Sequence, residues 1–423
     1  MRTRRIGPLL AALLALTVLA GCAPTGPETP APEPVGADPG FVHGTDGGAT
    51  DRLAAAVIGD VQDYWAATFP PLSGHPWRDL DGGFFSVDTA RGGDRPPPCS
   101  GDVANLEGNA YYCASVDAIA WDRAALLPVL REHYGDAAVA VVLAHEFGHA
   151  VQQRLGMAVG GGADAAAIEA GADCYAGAFL RTAADGRTAH LRVGPGELDR
   201  ALHALIVFRD PIGTEPAAAD AHGTSFARIT AFQQGFQDGP ADCAAVSPVR
   251  APTTETGEDA TETFPGTVEA TGRRAAEFFG GLVTAGGRSW STPAPRPGGC
   301  AAAPVGLCDG ATAFDPERLG AVHHDIGDQA TATLLASRYA LAARTALGRP
   351  NTGPAAGNAI SCLTGAYTAG EPRLSAGDLD EAVEALLTED AAGRDARGAV
   401  VITGAQRVAA FRTGLLRGPD ACG

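Results

Sequence analysis

The chain has 423 residues, 45% of them apolar, and a formal net charge of −18. It contains no lysine, so all 31 basic residues are arginine. A chain of this length and apolar content can bury two cores, and its acidity excludes nucleic acid or an anionic bilayer as partners held by surface charge.

Residues 1–22, ending Leu19-Ala20-Gly21-Cys22, join a basic start, a short apolar run and a cysteine after small residues. This is the pattern of a lipoprotein signal peptide with a lipobox, and it predicts lipid on Cys22. The apolar run is too short for a comfortable span, so attachment to the cell membrane is expected through lipid, on the extracytoplasmic side. Residues 23–50 are rich in Pro, Gly and acids and are expected to form an extended tether, with the first folded domain over 51–247.

Within that domain, apolar and aromatic residues partly alternate over Ala110–Asp122, which predicts a strand. The next segment, DAAVAVVLAHEFGHAVQQRLG, has no proline. Asp136 as N-cap and Gly156 as stop predict a helix over 137–155, with Val139, Val142, Leu143, Ala150 and Val151 on its buried face. His145 and His149 are four residues apart and share a face, where two imidazoles converge on one cation. A second helical stretch, residues 164–183, carries Glu169 and Asp173 on one side. Glu169 is placed to supply a third ligand, which leaves the fourth position of a tetrahedral zinc open for water. Glu146 then sits where it takes that water's proton. Asp173 is placed to accept the outer N–H of a ligating imidazole. Taken singly these are a short motif and two helix-face acids; the argument rests on their combination. A longer zinc motif would need histidine at 155, where the chain has Leu155.

Further on, Thr224 is the expected N-cap of a helix carrying Phe226, Ile229, Phe232 and Phe236 at core-facing spacing. His222, at that helix mouth, is a candidate donor to the tetrahedral intermediate; a capping or packing histidine is the alternative. Tyr111 and Tyr112 are candidates for the same task, or packing residues. Residues 248–266, rich in Thr, Pro and acids, read as a linker.

The second half echoes the first. VVLAHEFGHAVQQRLG at 141–156 matches TLLASRYALAARTALG at 333–348, and GADCYAGAF at 171–179 matches AISCLTGAY at 359–367. GPGELDRALHALI at 194–206 matches SAGDLDEAVEALL at 375–387, and residues 224–243 match 403–422. Four matches in one order imply a tandem duplication, with 267–423 as the second copy. In this register His145, Glu146 and His149 become Ser337, Arg338 and Leu341, while Glu169, Asp173 and His222 become Gly357, Ser361 and Val401. The second copy is therefore expected to fold without binding zinc, in a structural or partner-binding role. His323-His324 are adjacent, point in different directions, and are expected at the surface. The repeat also sorts eight cysteines: the pairing that holds in both copies is Cys99–Cys113 with Cys174–Cys243, and Cys300–Cys308 with Cys362–Cys422. Buried free thiols are the alternative.

The phrases HEFGHAVQ, EAGADCYAG and HGTSFARITAFQQGFQDG resemble the bacterial neutral zinc metallopeptidase family, over about residues 51–247. The spacing from His149 to Glu169 and Asp173 is similar to that of gluzincins. The resemblance implies His145, His149 and Glu169 as zinc ligands, Glu146 as base, and support for His222. It also implies that the strand near residue 111 is an edge strand that binds peptide by backbone pairing. Tyr111-Tyr112-Cys113-Ala114 departs from the family's frequent Cys-Pro, at one edge of the site. The expected protein is an α+β, zincin-like metallopeptidase with one Zn²⁺ in its first domain, acting on peptide or protein substrates. The rival reading is a zinc-loaded scaffold that recruits a partner and whose peptidase activity is vestigial; an intact Glu146 speaks against it, because a scaffold needs ligands but no base.

Overall fold

The computed structural model describes residues 36–423 apart from 92–94, 158–164, 208, 210–221, 248–261, 299–302 and 373. The signal segment with Cys22, most of the tether, most of the linker, and Cys300 lie outside these residues. The tether ends sooner than residue 50. Val42–His43 form strand β1, and Val42 is buried. Helix α1 starts two residues before the expected boundary, at Ala49–Ser73. Its Leu53, Val57, Ile58, Val61, Trp65 and Phe69 recur at helical spacing and are all buried.

Strand β2 (Gly83–Val87) pairs in parallel with β1. The single strand expected over 110–122 is a hairpin: β3 (Ala110–Cys113) and β4 (Ala118–Asp122) pair antiparallel, with Tyr112 opposite Ile119. The chain reverses through Asp117, whose φ of 59° the short polar side chain tolerates. The sheet order is β1-β2-β4-β3, so β3 is an edge strand. Helices α2 (Leu126–Tyr134), α3 (Asp136–Arg154), α4 (Ala165–Ala184), α5 (Pro195–Val207) and α6 (Ser225–Asp238) follow. The start of α3 differs from expectation in one respect. Gly135, at φ 86°, takes the cap position, and the Asp136 carboxylate instead pairs with Arg131 Nε at 2.9 Å. At the far end Gly156 takes φ 79°, the left-handed stop that was expected.

The second half repeats this order: α7 (Phe264–Ala285), β5 (Pro295–Pro297), β6 (Val305–Cys308), β7 (Ala311–Phe314), α8 (Pro316–Asp325), α9 (Asp328–Ala346), α10 (Pro354–Thr368), α11 (Ala376–Thr388) and α12 (Gly404–Arg417). Thr263 caps α7, so the linker gives way to helix at Phe264 rather than at 267. Strand order β5-β7-β6, with one parallel and one antiparallel pairing, matches β2-β4-β3. The helix contacts also match in kind. A methyl on Gly177 would lie 2.0 Å from the Phe232 carbonyl oxygen, and one on Gly365 would lie 2.0 Å from that of Phe411. Residues 35–423 form one compact unit, and a continuous apolar core joins Leu198, Leu202 and Phe226 of the first half to Leu379, Val383 and Phe411 of the second. Among the described residues no helix is long and apolar enough to cross a membrane.

Candidate metal centre

Helix α3 runs through the middle of the first half, and its stretch from Leu143 to Gln152 is buried throughout. Two buried imidazoles on an apolar helix are costly unless each ring nitrogen has a partner. Both Nδ1 atoms have one. Asp173 Oδ1, on α4, lies 2.8 Å from His145 Nδ1, and Gln152 Oε1 lies 3.0 Å from His149 Nδ1. A carboxylate only accepts, so Nδ1 of His145 carries the proton and its Nε2 is left for another task. Gln152 is oriented in turn by donating from Nε2 to the Ile168 carbonyl at 2.6 Å.

The two Nε2 atoms meet the carboxylate of Glu169. Its Oε2 is 3.1 Å from His145 Nε2, and its Oε1 is 3.5 Å from His149 Nε2. Ligand atoms of these three residues all lie within 4.8 Å of one another. Around a tetrahedral zinc with bonds of about 2.1 Å, ligand atoms stand about 3.4 Å apart, so the observed separations fit such an ion. A second observation agrees: Glu169 Oε2 is buried, and its contact with His145 Nε2 lacks good hydrogen-bond geometry. His–His–Glu is moreover a donor set suited to zinc. A second acidic group, Asp328, Asp378 and Glu381, also has converging oxygens, but it lacks histidine; Glu381 accepts the Gln329 N–H at the start of α9.

Close helix packing makes this convergence possible. A methyl on Gly148, between the two histidines, would lie 2.7 Å from Ala172 Cα and 2.8 Å from its carbonyl oxygen. Only glycine lets α3 approach α4 closely enough for Glu169 and Asp173 to reach the histidines.

The charges balance locally. Asp173 is fully buried and is held by Arg228 of α6, with Nε on Oδ2 at 2.9 Å and Nη2 on Oδ1 at 3.0 Å. Burial opposes its charge, but Arg228 and His145 hold its carboxyl well below the usual range. Burial likewise disfavours a charged His145, yet the Asp173 and Glu169 carboxylates outweigh it and raise the imidazole to about 10. For His149, burial and the neighbouring His145 charge act together and push it down to about 4. Glu169 is drawn down to about 2 because the His145, His149 and His222 rings outweigh the cost of burial. Glu146 is the exception. Burial pushes it up to about 7, against the His145 charge and with the Glu169 charge, while the Tyr112 backbone N–H donates to it.

His145 and Glu146 open onto a cavity of about 110 Å³ that is also lined by Asn109, Leu126, Leu205, His222 and Arg228. His222 is exposed on its rim, just ahead of Thr224, whose hydroxyl caps α6 by accepting the Ala227 N–H. Two larger cavities, near Phe236 and near Arg318, contain no histidine and lie away from this chemistry. Edge strand β3 reaches the site through its backbone at Tyr112, not through phenols. The Tyr111 hydroxyl donates to the Pro98 carbonyl, and that of Tyr112 lies 2.6 Å from Asp117 Oδ1 and 2.7 Å from Gln153 Oε1. Neither tyrosine lines the cavity.

Sulfur atoms are joined between Cys99 and Cys113, Cys174 and Cys243, and Cys362 and Cys422. Cys308 is disulfide-bonded as well. The Cys174 link ties α4 next to Asp173. In the second half, Arg338 donates to the Ala392 and Arg394 carbonyls at 3.0 Å each, and Gly393 packs against Gly357. Arg338 and Gly357 thus pack against the turn Asp390–Gly393 and the residue after it. Of the adjacent histidines, His324 is exposed, whereas His323 is half-buried against Phe264 with Nε2 3.0 Å from the Glu262 carbonyl.

The sequence reading missed Arg228, Gln152 and Gly148. Arg228 lies inside the phrase HGTSFARIT, but an arginine on a helix reads as a solvated charge until the fold brings Asp173 to it. Gln152 sits three residues after His149, a spacing that places it on the same face. No curated protein and no solved structure is detectably similar to the chain. Residues 49–246 match the family described as "Putative neutral zinc metallopeptidase".

Proposed function

We propose that the protein is a lipid-anchored, extracytoplasmic zinc peptidase that hydrolyses peptide bonds with Glu146 as base. The observation that carries the reading is the convergence of His145, His149 and Glu169 beside a buried Glu146 whose carboxyl is raised to about 7. When bound by these three residues, one zinc supplies Lewis acidity to the scissile carbonyl and makes water more acidic. Glu146 takes a proton from the attacking water and returns it to the leaving amine; a base poised near neutrality does both. Asp173 and Gln152 hold the histidine rings so that both Nε2 atoms face the Glu169 carboxylate, and Arg228 keeps Asp173 ionised. His222, on the cavity rim, donates to the oxygen that gains charge during attack. The backbone edge of β3 receives the peptide as an added strand.

The same proposal assigns 267–423 to a degenerate copy of the first domain. Its support is the equal order of elements, the equal sheet order and the paired glycine contacts described above. Ser337, Arg338, Leu341 and Gly357 leave no ligand set there, so one zinc per chain is expected. Lipid on Cys22 rests on the Leu-Ala-Gly-Cys ending, and the four disulfides rest on the repeat and on the joined sulfurs.

The test is a peptide-library cleavage assay on zinc-loaded protein and its Glu146→Gln variant. The parent should cleave, and the variant should keep its zinc while cleaving about 10²-fold more slowly or worse. Equal rates would remove Glu146 from the role of base.

A further inference from the structure

Each half of the molecule lends an aspartate to the other. Asp380, on α11, accepts the Phe226 N–H at 3.0 Å in the first turn of α6. Its second oxygen lies 3.3 Å from Nε of Arg209, just beyond α5. Asp199, on α5, accepts the Gly404 and Ala405 N–H groups at 2.6 and 2.7 Å in the first turn of α12. Asp199 and Asp380 hold the same place in the aligned segments GELDRAL and GDLDEAV. The contacts therefore mirror each other, as in an isologous dimer.

The two contacts are alike in kind but differ in what they hold. Helix α6 carries Arg228, which grips Asp173, which grips His145. It also begins three residues after His222, which lines the cavity. Helix α12 carries Arg407 at the matching place, and this residue donates to backbone carbonyls of Leu386 and Ile402. Where His222 would fall there is Val401. Only one of the two aspartates is thus connected to the metal centre.

We infer that Asp380 is a positioning residue of the candidate active site, through which the second half fixes the start of α6 and so the placement of Arg228 and His222. The first N–H groups of a helix have no partner within it, and the helix dipole favours an anion there. Asp380 is 1% exposed, so in the intact protein the Phe226 N–H meets this carboxylate and not bulk water. Burial pushes its carboxyl up to about 6, opposed by the Phe226 N–H and by Arg209, and it is ionised at neutral pH. It holds Arg209 as well as the Phe226 N–H. This deepens the peptidase reading and rests on it for its kinetic readout.

The experiment compares full-length, zinc-loaded protein with Asp380→Ala, Asp380→Asn and the mirror variant Asp199→Ala. The readouts are amide exchange at Phe226, zinc per chain, thermal unfolding, peptide cleavage and the NMR signals of the His145 and His222 rings. Asp380→Ala should speed Phe226 exchange at least about tenfold and lower kcat/KM roughly tenfold, mainly through kcat, with zinc retained. Asp380→Asn keeps an oxygen for the Phe226 N–H and should recover most of the rate. Asp199→Ala should lose comparable thermal stability yet keep kcat/KM within about twofold, because no residue of the site lies on α12. Parent-like kcat/KM in Asp380→Ala, or equal losses in both alanine variants, would overturn the inference. If the parent itself cleaves no peptide, the peptidase reading fails, and the ring signals decide. Asp380→Ala should shift them and Asp199→Ala should not; unshifted signals in Asp380→Ala would refute the positioning role.

Discussion

Replacing Gly148 by alanine tests the geometry of the metal centre with a single methyl group. In an isolated helix the change is favourable, by about 1 kcal/mol. Here the new Cβ lies 2.7 Å from Ala172 Cα and 2.8 Å from Ala172 O, both backbone atoms. Backbone cannot rotate away, so α4 must recede from α3 by about 0.7 Å to reach ordinary contact near 3.4 Å. Overpacking of this kind costs typically 1–3 kcal/mol, roughly cancelling or exceeding the propensity gain, so thermal stability should fall only modestly. The metal centre should suffer more. Glu169 and Asp173 ride on α4 while both histidines ride on α3, and a zinc site tolerates errors of about 0.2 Å in its distances. The displacement is several times that tolerance. Zinc affinity should therefore drop by about 10² or more, measured by competition with a chromophoric chelator, while far-UV circular dichroism stays near that of the parent. Affinity within twofold of the parent would refute the argument that close α3–α4 packing sets the triad.

His145→Ala and Glu169→Ala should each lose most of the bound zinc, read by metal analysis after dialysis; full occupancy in either variant would end the ligand assignment. Zinc uptake should also be linked to protons. In the metal-free protein the raised His145 value contributes stability that is fully present below about 6.5 and is lost as pH rises through about 10. Zinc competes for the same nitrogen, so binding at pH 7 should release about one proton, and affinity should weaken as pH falls. Calorimetric titration in buffers of different ionisation enthalpy measures this, and heats independent of the buffer would contradict it.

The sequence alone placed the candidate ligands on their helices. His145 and His149 share a face because α3 has 3.6 residues per turn, and the apolar, proline-free segment between Gly135 and Gly156 carries its own helix signals. Glu169 and Asp173 sit four apart on α4 by the same rule. The cap at Thr224 and the alternation that marks the sheet edge are equally local. Three things depended on tertiary structure. The reversal at Asp117 split one expected strand into a hairpin, because a polar residue at positive φ tells little in sequence. Arg228 and Gln152 became parts of the metal centre only when packing buried the groups they serve, since a charge or amide looks solvated until its partner is known. The coupling of the halves through Asp199 and Asp380 joins residues more than 150 positions apart. Periodicity reports which face of a helix is apolar; which helix end an aspartate on that face will meet is decided by how the faces pack.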